Sequence, residues 1–319
     1  MAGKGGVGKT TISAVFAVAA ARLGLSVLVV DIEGKSELHE LLGGSSDQPR
    51  GFQSGSHRRF PWGFEDTLVA PGGEGRGAIH GRHIAADQAL ISYLEDHSLG
   101  RLASTMVDTG VIDVVTRSAP GIKDILVLGK IKQLERAAAA DLIIVDAPAS
   151  GHAITFLRAA RGLLDAVSRG PINTQAREVA ELLTDGDRCQ VVLTTLAEET
   201  PVSELIETAY ALEEDVGIKL GPLVINALYP PSDLPADPSG ALRSNGIDPA
   251  GPEGTALLAA AQFRREREAL QQEQLQRLGD TLPLPQLRLP YRFTPSLNAA
   301  DVDALAKDLV RALAALPAL

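Results

Sequence analysis

The first eleven residues carry the densest set of chemically capable side chains in this sequence. Residues Gly3–Thr10 read GKGGVGKT and satisfy the phosphate-binding pattern G-x-x-x-x-G-K-[ST]. Glycines in such a loop let backbone N–H groups turn toward phosphate oxygens, while Lys9 reaches the phosphates and the Thr10 hydroxyl ligates Mg²⁺. The residues predicted to contact a bound nucleotide are Gly3, Gly5, Gly6, Val7, Gly8, Lys9, Thr10 and Thr11. The motif therefore predicts a site for ATP with Mg²⁺.

A second lysine, Lys4, lies inside the loop, where most phosphate loops have a neutral or small residue. It follows Gly3, whose flexible backbone allows the lysine side chain to turn away from its own nucleotide. This position suits a contact across a subunit interface.

Acidic residues follow two apolar runs that are predicted to be buried strands. Asp146 ends the run Asp141–Val145, where a Walker B acid acts on Mg²⁺ or its waters, although an aspartate there can instead cap the next helix. Asp31 and Glu33 follow the run Leu25–Val30 and are the acids best placed to act on an attacking water. Asp31 can alternatively have a structural role facing the phosphate loop. Glu33 has the longer side chain and therefore the longer reach toward the water.

The segment after Asp146 reads APASGH and ends at His152. A turn flanked by Gly and Pro at this place can move when a γ-phosphate appears or leaves. His152 either reports that state through a hydrogen bond or simply starts a helix, and the sequence leaves both interpretations open.

The scaffold that would bring these residues together is an α/β fold. Loop, helix and buried strand in succession predict a doubly wound, mostly parallel sheet with flanking helices, which is the architecture of a P-loop NTPase. The predicted strands are Leu25–Val30, Asp141–Val145, Gln190–Thr194, Gly221–Ile225 and Leu282–Leu289. The predicted helices are Thr11–Leu23, Val202–Glu214, Ala256–Leu278 and Asn298–Leu313.

Three segments interrupt this pattern within what we interpret as a single ATPase domain of residues 1–319. Residues 44–77 are rich in Gly, Ser and Pro and predict a flexible insertion, whose cluster His57–Arg59 we interpret as a solvated face rather than a phosphate contact. Residues 84–138 predict an inserted helical subdomain, and residues 230–254 predict a long Pro- and Gly-rich loop.

Only Met1 and Ala2 precede the phosphate loop. Such loops usually follow a buried parallel strand of about five or six residues. We expect the missing strand to be central, so that its absence opens the core and loosens the loop. A start codon assigned too far downstream, a truncated chain, or a natural protein of poor nucleotide affinity would each explain this beginning.

The bulk composition excludes several classes of protein. A net charge of −10 and a pI near 5.1 argue against a nucleic-acid partner and against adsorption to anionic lipid. One cysteine, Cys189, excludes an intramolecular disulfide and predicts a buried, inert thiol. No apolar run reaches the roughly 18 residues of a transmembrane helix. We therefore expect a cytoplasmic protein without stable membrane insertion.

The loop with its extra lysine resembles the deviant Walker A motif of the SIMIBI ATPases, the group that contains MinD, ParA and ArsA. The run DAPASGH at Asp146–His152 is similar to switch II of the ArsA branch, which includes the ATPase that targets tail-anchored membrane proteins. The runs LAEETPV at Leu196–Val202 and VIN at Val224–Asn226 also resemble that branch. The resemblance spans almost the whole chain, and switch II is the part that selects ArsA over MinD or ParA.

This resemblance implies roles for individual residues. Lys4 would reach the partner's nucleotide in a nucleotide-sandwich dimer, Asn226 would hydrogen-bond adenine, and Pro290 with Tyr291 would line the adenine pocket. With one phosphate loop, the chain would form a homodimer, or a heterodimer with a paralogous ATPase.

The chain also departs from the family pattern. Switch I usually reads Asp-Pro-Ala-His with a catalytic aspartate, but residues 31–35 read DIEGK. Glu33 would then orient the water, and we expect turnover to be slow or lost. The Cys-x-x-Cys that clasps the targeting ATPase as a zinc dimer and the cysteine triad that binds arsenite are both missing, which makes arsenite transport improbable.

These observations lead to one leading function. The chain is expected to be an ArsA-like ATPase of the single-half, bacterial type that couples hydrolysis to a hydrophobic client bound by residues 84–138. The alternatives are a catalytically weak partner subunit, a positioning ATPase like MinD or ParA, and a metabolic ligase of the same superfamily, for which no second substrate motif is visible.

Overall fold

The computed structural model describes residues 1–34, 36–44, 67–96, 121–148 and 150–316. Parts of the predicted features therefore lie outside the described residues: Lys35 of switch I, the cluster His57–Arg59, residues 97–120 of the predicted helical subdomain, and Ala149 of switch II. No helix in the described ranges is both long and apolar enough to cross a bilayer.

The elements alternate between strands and helices, as the sequence predicts for an α/β fold. The first are α1 (Lys9–Arg22), β1 (Val27–Asp31), α2 (Ser36–Leu41), β2 (Thr67–Ala70), β3 (Ile79–His83), α3 (Ala86–Asp96), α4 (Ile122–Arg136) and β4 (Leu142–Asp146). The next are α5 (Ser150–Ala166), α6 (Pro171–Thr184), β5 (Gln190–Val191), β6 (Thr194–Leu196), α7 (Glu199–Ala211), a π-helical turn (Leu212–Val216) and β7 (Lys219–Leu220). The last are β8 (Leu223–Leu228), α8 (Pro238–Ser244), α9 (Pro252–Thr281), β9 (Gln286–Pro290) and α10 (Ala299–Ala314).

The strands form a mostly parallel sheet with two main parts. One part has the order β2-β3-β1-β4, with β1 parallel to β3 and β4 and only β2 antiparallel. The other has the order β6-β8-β9 and is entirely parallel, and β5 and β7 form a short parallel pair. This confirms the predicted fold class.

Met1 and Ala2 lie between these two parts. The terminal amine of Met1 donates to the Val145 carbonyl at 2.8 Å, on the side of β4. On the other side, Ala2 N donates to Val192 O at 3.0 Å, and Thr194 N donates to Ala2 O at 2.8 Å. Met1 and Ala2 therefore occupy the central position that the sequence predicts for the missing strand, and Ala2 is buried there.

Strand β1 shows how the sheet is covered on both faces. All five of its residues are buried, as expected for a parallel strand covered by helices. Leu28 and Val30 belong to a core that includes Ile125 of α4, whereas Val27 and Val29 belong to a second core with α1 and α10. The alternation follows from the two-residue period of a strand.

Several predicted boundaries are shifted. Helices α1, α7, α9 and α10 correspond to the predicted helices, and α9 is longer at both ends, with 30 residues. The predicted strand Gln190–Thr194 is divided into β5 and β6, and Leu193 between them forms an isolated bridge with Ala2. The last predicted strand, Leu282–Leu289, is observed as the shorter strand Gln286–Pro290. It begins after Pro283 and Pro285, whose nitrogen atoms cannot donate hydrogen bonds to a neighbouring strand.

Regular elements lie within the segments that the sequence predicts to be insertions. The segment 44–77 is not flexible throughout, since Thr67–Ala70 forms edge strand β2 beside β3, which the sequence did not predict. Strand β3 has the sequence IHGRH, whose polar residues conceal the buried, alternating pattern of its side chains. The predicted loop 230–254 contains the short helix α8. Asp237 caps this helix by accepting a hydrogen bond from Gly240 N.

The described part of residues 84–138 does not form a subdomain with its own core. Helices α3 and α4 pack against each other, and α4 also contacts α5 and α6. Leu90 of α3 and Ile125 of α4 share the same hydrophobic core as Leu28 of β1. These helices therefore cover one face of the sheet.

Gly77, just before β3, allows a test of this part of the fold. A Cβ atom there would lie 1.8 Å from the Leu25 backbone oxygen, whereas a Cβ at Gly73 in the same hairpin would meet no atom within 4 Å. We expect Gly77→Ala to lower the free energy of unfolding by about 1–3 kcal/mol, because the backbone must move apart. Gly73→Ala should change it by less than about 0.5 kcal/mol. Urea unfolding measures both, and equal losses would contradict the close approach.

Candidate functional site

The phosphate loop is packed tightly against the sheet on one side and is open on the other. A Cβ at Gly3 would lie 2.3 Å from the Thr194 carbonyl oxygen, and one at Gly8 would lie 2.4 Å from Nδ2 of Asn226. Gly8 also has a left-handed backbone, with φ of 87°, immediately before α1. At Gly5 and Gly6 a Cβ would meet no atom within 4 Å. The loop thus leaves space on the side where phosphates are expected.

Lys9 is the first residue of α1 and is buried, with a relative exposure of 6%. Its Nζ donates a hydrogen bond to the Lys4 carbonyl oxygen at 3.1 Å, so that the side chain folds back over the loop. A positive charge at the N-terminus of a helix, surrounded by loop amides, favours a bound anion.

Asp146 lies at the carboxyl end of β4 and is held by two hydroxyl groups of α1. Thr10 Oγ1 donates to Oδ2 at 2.9 Å, and Ser13 Oγ donates to Oδ1 at 2.9 Å. All three residues are buried. The sequence predicted Thr10 and Asp146 but missed Ser13, although Ser13 is three residues after Thr10 and therefore on the same helix face.

Thr10 and Asp146 are suited to Mg²⁺. Their hydroxyl and carboxylate oxygens are hard donors, and Mg²⁺ commonly binds one or two carboxylates together with phosphates and waters. In the described ranges no group of three or more His, Cys, Asp or Glu side chains could hold a metal ion by itself. The donor set therefore fits a metal that arrives with a phosphate ligand.

Asp31 and Glu33 occupy different environments after β1. Asp31 is buried, and its Oδ1 accepts hydrogen bonds from Glu33 N at 3.0 Å and Gly34 N at 2.9 Å. The carboxylate thus shapes its own turn, in line with the structural alternative for Asp31. Glu33 is exposed, which leaves it accessible to a ligand at the same edge of the sheet.

His83, which no sequence motif marks, pairs with Asp31 in the register between β3 and β1. Its Nδ1 donates to the Asp31 carbonyl oxygen at 3.0 Å and lies 3.8 Å from Oδ2 of the same residue. Burial lowers the pKa of His83, against the opposing effects of the Asp31 hydrogen bond and the Asp87 charge. A neutral imidazole with its proton on Nδ1 satisfies this geometry.

Lys4 forms an ion pair within its own chain. Its Nζ lies 2.5 Å from Oε1 of Glu204, on α7, and each side chain is about one-third exposed, at 34% and 37%. The lysine therefore points toward α7 rather than back into its own loop. Glu204 was not recognised in the sequence, since 200 residues separate the pair.

Asn226 lies against the phosphate loop near the end of β8. Its Nδ2 donates to the Val7 carbonyl oxygen at 3.0 Å, and its Oδ1 accepts from Ala227 N at 2.9 Å. Ala227 has a positive φ of 55°, an uncommon conformation for a residue with a Cβ. Asn226 thus joins the phosphate loop to the end of β8. The family resemblance implies that the adenine base binds at this residue.

Aromatic residues that come shortly after Asn226 and Pro290 in the chain form a cluster. Tyr229, Tyr291 and Phe293 have ring centroids 4.9–5.8 Å apart, and the Arg264 guanidinium lies 4.5 Å from the centre of the Tyr229 ring. Pro290, at the end of β9, pairs with Leu228. Phe293 has a relative exposure of 69%, so the cluster presents an aromatic face to the surface.

Two other predicted residues have simpler surroundings. His152 lies exposed in the first turn of α5. Burial raises the pKa of the nearby Asp124 on α4, against the effect of Lys123. Cys189 is partly buried just before β5, and burial raises the pKa of its thiol. A raised thiol pKa disfavours the reactive thiolate.

Comparison with known proteins finds relatives that align with most of the length of this chain. A Mycobacterium bovis protein provisionally named an ATPase and the Mycobacterium tuberculosis ATPase BagA are each 29% identical over 308 residues, covering 90% of this chain and 85% of theirs. A Halobacterium salinarum protein provisionally named an arsenical pump-driving ATPase is 24% identical, covering 96% of this chain but 43% of its own length.

A family profile also matches the chain. The profile describes the CobQ/CobB/MinD/ParA nucleotide-binding domain, and its match covers residues 1–282. That range includes the phosphate loop, Asp31, Asp146 and Asn226. The tightly packed loop and the buried carboxylate beneath it both lie within the matched residues. This chain therefore belongs to the CobQ/CobB/MinD/ParA nucleotide-binding domain family.

Proposed function

We propose that this chain is an ATP-hydrolysing enzyme of the ArsA type. It would bind ATP with Mg²⁺ between two subunits in the cytoplasm and couple hydrolysis to the binding of a partner or hydrophobic client. The observation that carries this proposal is the buried carboxylate of Asp146, held by Thr10 and Ser13 directly behind an open phosphate loop. The relatives named as ATPases support the same activity.

The residues of the loop would act by binding and orienting the phosphates. The space beside Gly5 and Gly6 is open, and backbone N–H groups of the loop would contact the phosphates there. Lys9 would leave the Lys4 carbonyl to contact the phosphate oxygens. Thr10 and Asp146 would hold Mg²⁺. When bound, this ion neutralises phosphate charge and orients the β- and γ-oxygens. Ser13 would keep the Asp146 carboxylate in one orientation.

Glu33 is the residue that we assign to the attacking water. Asp31 is buried and its Oδ1 is bonded to its own turn, whereas Glu33 is exposed at the same strand end. A glutamate there can accept a proton or a hydrogen bond from water positioned beside a phosphate. Movement of this short loop would bring its carboxylate to the reacting atoms.

The base of the nucleotide would bind near Asn226, Pro290 and the aromatic cluster. Asn226 would exchange its bond to Val7 O for an adenine edge, which would link base binding to the position of the loop. Aromatic rings such as Tyr291 offer a stacking surface for a purine beside this amide.

The ArsA branch is favoured over MinD and ParA by two observations. The run DAPASGH after β4 resembles switch II of that branch, and the relative from Halobacterium salinarum carries an arsenical-pump name. Arsenite itself is not the proposed substrate, because the chain has only one cysteine. No nucleic-acid partner is proposed, given the net charge of −10.

A second candidate function is that of a nucleotide-binding subunit with slow turnover in a heterodimer. It is favoured by the unusual switch I, in which the Asp31 carboxylate supports its own turn and leaves a longer glutamate to act on water. A paralogous ATPase would then supply faster catalysis.

The first test is steady-state ATP hydrolysis with Mg²⁺. We expect turnover that Lys9→Ala reduces by at least about 100-fold, since a donor aimed at the developing phosphate charge is lost. Lys307→Ala, which removes an exposed lysine paired with Asp303 on α10, should leave the rate within about two-fold. If the chain alone does not hydrolyse ATP, the proposal of a homodimeric enzyme is rejected. That result would favour the second candidate function, a nucleotide-binding subunit of a heterodimer.

Ser13 provides a test of the metal site. We expect Ser13→Ala to raise the Mg²⁺ concentration needed for half-maximal hydrolysis by about ten-fold, because Asp146 loses one of its two orienting hydroxyls. The matched control is Ser244→Ala, whose hydroxyl donates to the Gly240 carbonyl on the surface of α8. An unchanged Mg²⁺ dependence in Ser13→Ala would remove Ser13 from the proposed site.

Lys4 provides a test of the dimer. We expect Lys4→Gln to abolish dimer formation with a non-hydrolysable ATP analogue, as measured by sedimentation velocity, if the lysine reaches the partner's nucleotide. Its pair with Glu204 is partly exposed and contributes only about 0–1 kcal/mol, so folding should be unaffected. Lys307→Gln, which also removes a paired surface lysine, should still dimerise. A stable Lys4→Gln dimer would refute the contact in trans.

A further inference from the structure

Strand β3 ends beside the turn that carries Glu33. In the parallel register, His83 at the end of β3 is the partner of Asp31 at the end of β1. Ile84 N donates to the Asp31 carbonyl oxygen at 3.0 Å, which continues the ladder between the two strands. His83 Nδ1 donates to the same oxygen at 3.0 Å. The carbonyl group at the end of β1 is therefore held by two donors from the β3 side.

The imidazole of His83 is suited to hold this carbonyl in one position. A carbonyl oxygen only accepts hydrogen bonds, so the proton of this bond belongs to Nδ1. His83 and Asp31 have relative exposures of 3% and 1%, which shields the bond from competing water. Burial is the main cause that lowers the pKa of His83 below its ordinary value, so the ring is neutral at pH 7.

Packing alone does not account for a histidine at this position. The Asp31 carbonyl already accepts the ladder bond from Ile84 N, so it would keep a partner beside an apolar residue at position 83. A buried imidazole also loses its contacts with water, which costs free energy unless hydrogen bonds replace them. The second donor therefore adds a restraint on Asp31 that an apolar residue would lack.

Asp31 passes this restraint to the turn after β1. Its Oδ1 accepts hydrogen bonds from Glu33 N at 3.0 Å and from Gly34 N at 2.9 Å. The backbone of Asp31 is thus held from β3, while its carboxylate holds the turn. A shift of the Asp31 backbone would move this carboxylate and weaken both bonds to the turn.

We propose that His83 is a positioning residue for hydrolysis. Through the Asp31 carbonyl, it fixes the carboxylate that holds the turn, so that the loop carrying Glu33 moves about a fixed point. His83 itself would touch neither the nucleotide nor the attacking water. This inference rests on the proposed function, in which Glu33 acts on that water.

The first measurement is residue-resolved amide hydrogen exchange of the full chain without nucleotide, which does not depend on ATPase activity. We expect His83→Leu to speed exchange of the Glu33 and Gly34 amides at least about five-fold, because the turn opens more often. His83→Asn keeps an N–H donor close to the position of Nδ1 and should stay within about two-fold of the natural chain. The Thr194 amide, which donates to Ala2 O, should be unchanged if the fold is intact.

The second measurement is steady-state ATP hydrolysis with Mg²⁺. We expect His83→Leu to lower kcat about ten-fold with KM within about two-fold, since a misplaced Glu33 affects the reaction and not the binding of ATP. His83→Asn should restore kcat to within about three-fold of the natural chain. The matched control is His80→Leu, which changes a half-buried histidine on the opposite face of β3 and should leave kcat and both exchange rates within about two-fold.

Fast exchange and a low kcat in His83→Leu, both restored in His83→Asn, support the proposal. Unchanged exchange of the two amides in His83→Leu overturns it, as do equal effects of the two substitutions or an unchanged kcat despite fast exchange. If the natural chain does not hydrolyse ATP, the role in hydrolysis fails with the proposed function, whereas the exchange rates still decide whether His83 holds the turn. His83→Gln, whose amide lies farther from Cβ, replaces His83→Leu if that chain does not fold.

Discussion

The buried carboxylate of Asp146 is the group on which the rest of the site depends. A carboxylate with a relative exposure of 3% must have hydrogen-bond partners, because a buried charge without them is very unfavourable. Thr10 and Ser13 supply these partners from the first turns of α1. The requirement fixes the start of α1 above the end of β4, and the phosphate loop, which leads into α1, is fixed with it.

Parallel strands then determine what can collect around the loop. Asp31 is in register with Asp146 on one side and with His83 on the other, so three polar side chains follow one another along the carboxyl edge of the sheet. The phosphate loop leads into α1 above the Asp146 end of this row. The row therefore results from the topology in which β1 lies between β3 and β4.

The sequence predicted the parts of the site that are local in the chain. The phosphate loop and Asp146 follow from short patterns, and the apolar runs before Asp31 and Asp146 predict the strands β1 and β4. Strand β3 was missed because IHGRH has polar residues at alternating positions, and its burial becomes visible only beside β1. Glu204 and His83 were missed for a related reason, since their partners are distant in sequence and only the fold brings them together.

The contacts around the loop differ in how easily they can be exchanged. The bonds from Thr10 and Ser13 to Asp146 are buried and charge-assisted, and such bonds contribute about 1.5–3 kcal/mol each. The Lys4–Glu204 pair is partly exposed and contributes about 0–1 kcal/mol, and the neutral bond from Asn226 to Val7 about 0.5–1.5 kcal/mol. The second group of contacts can therefore exchange at a lower cost in free energy than the first. The site combines a fixed floor, formed by α1 and β4, with lysine and asparagine side chains that are free to change partners at little cost.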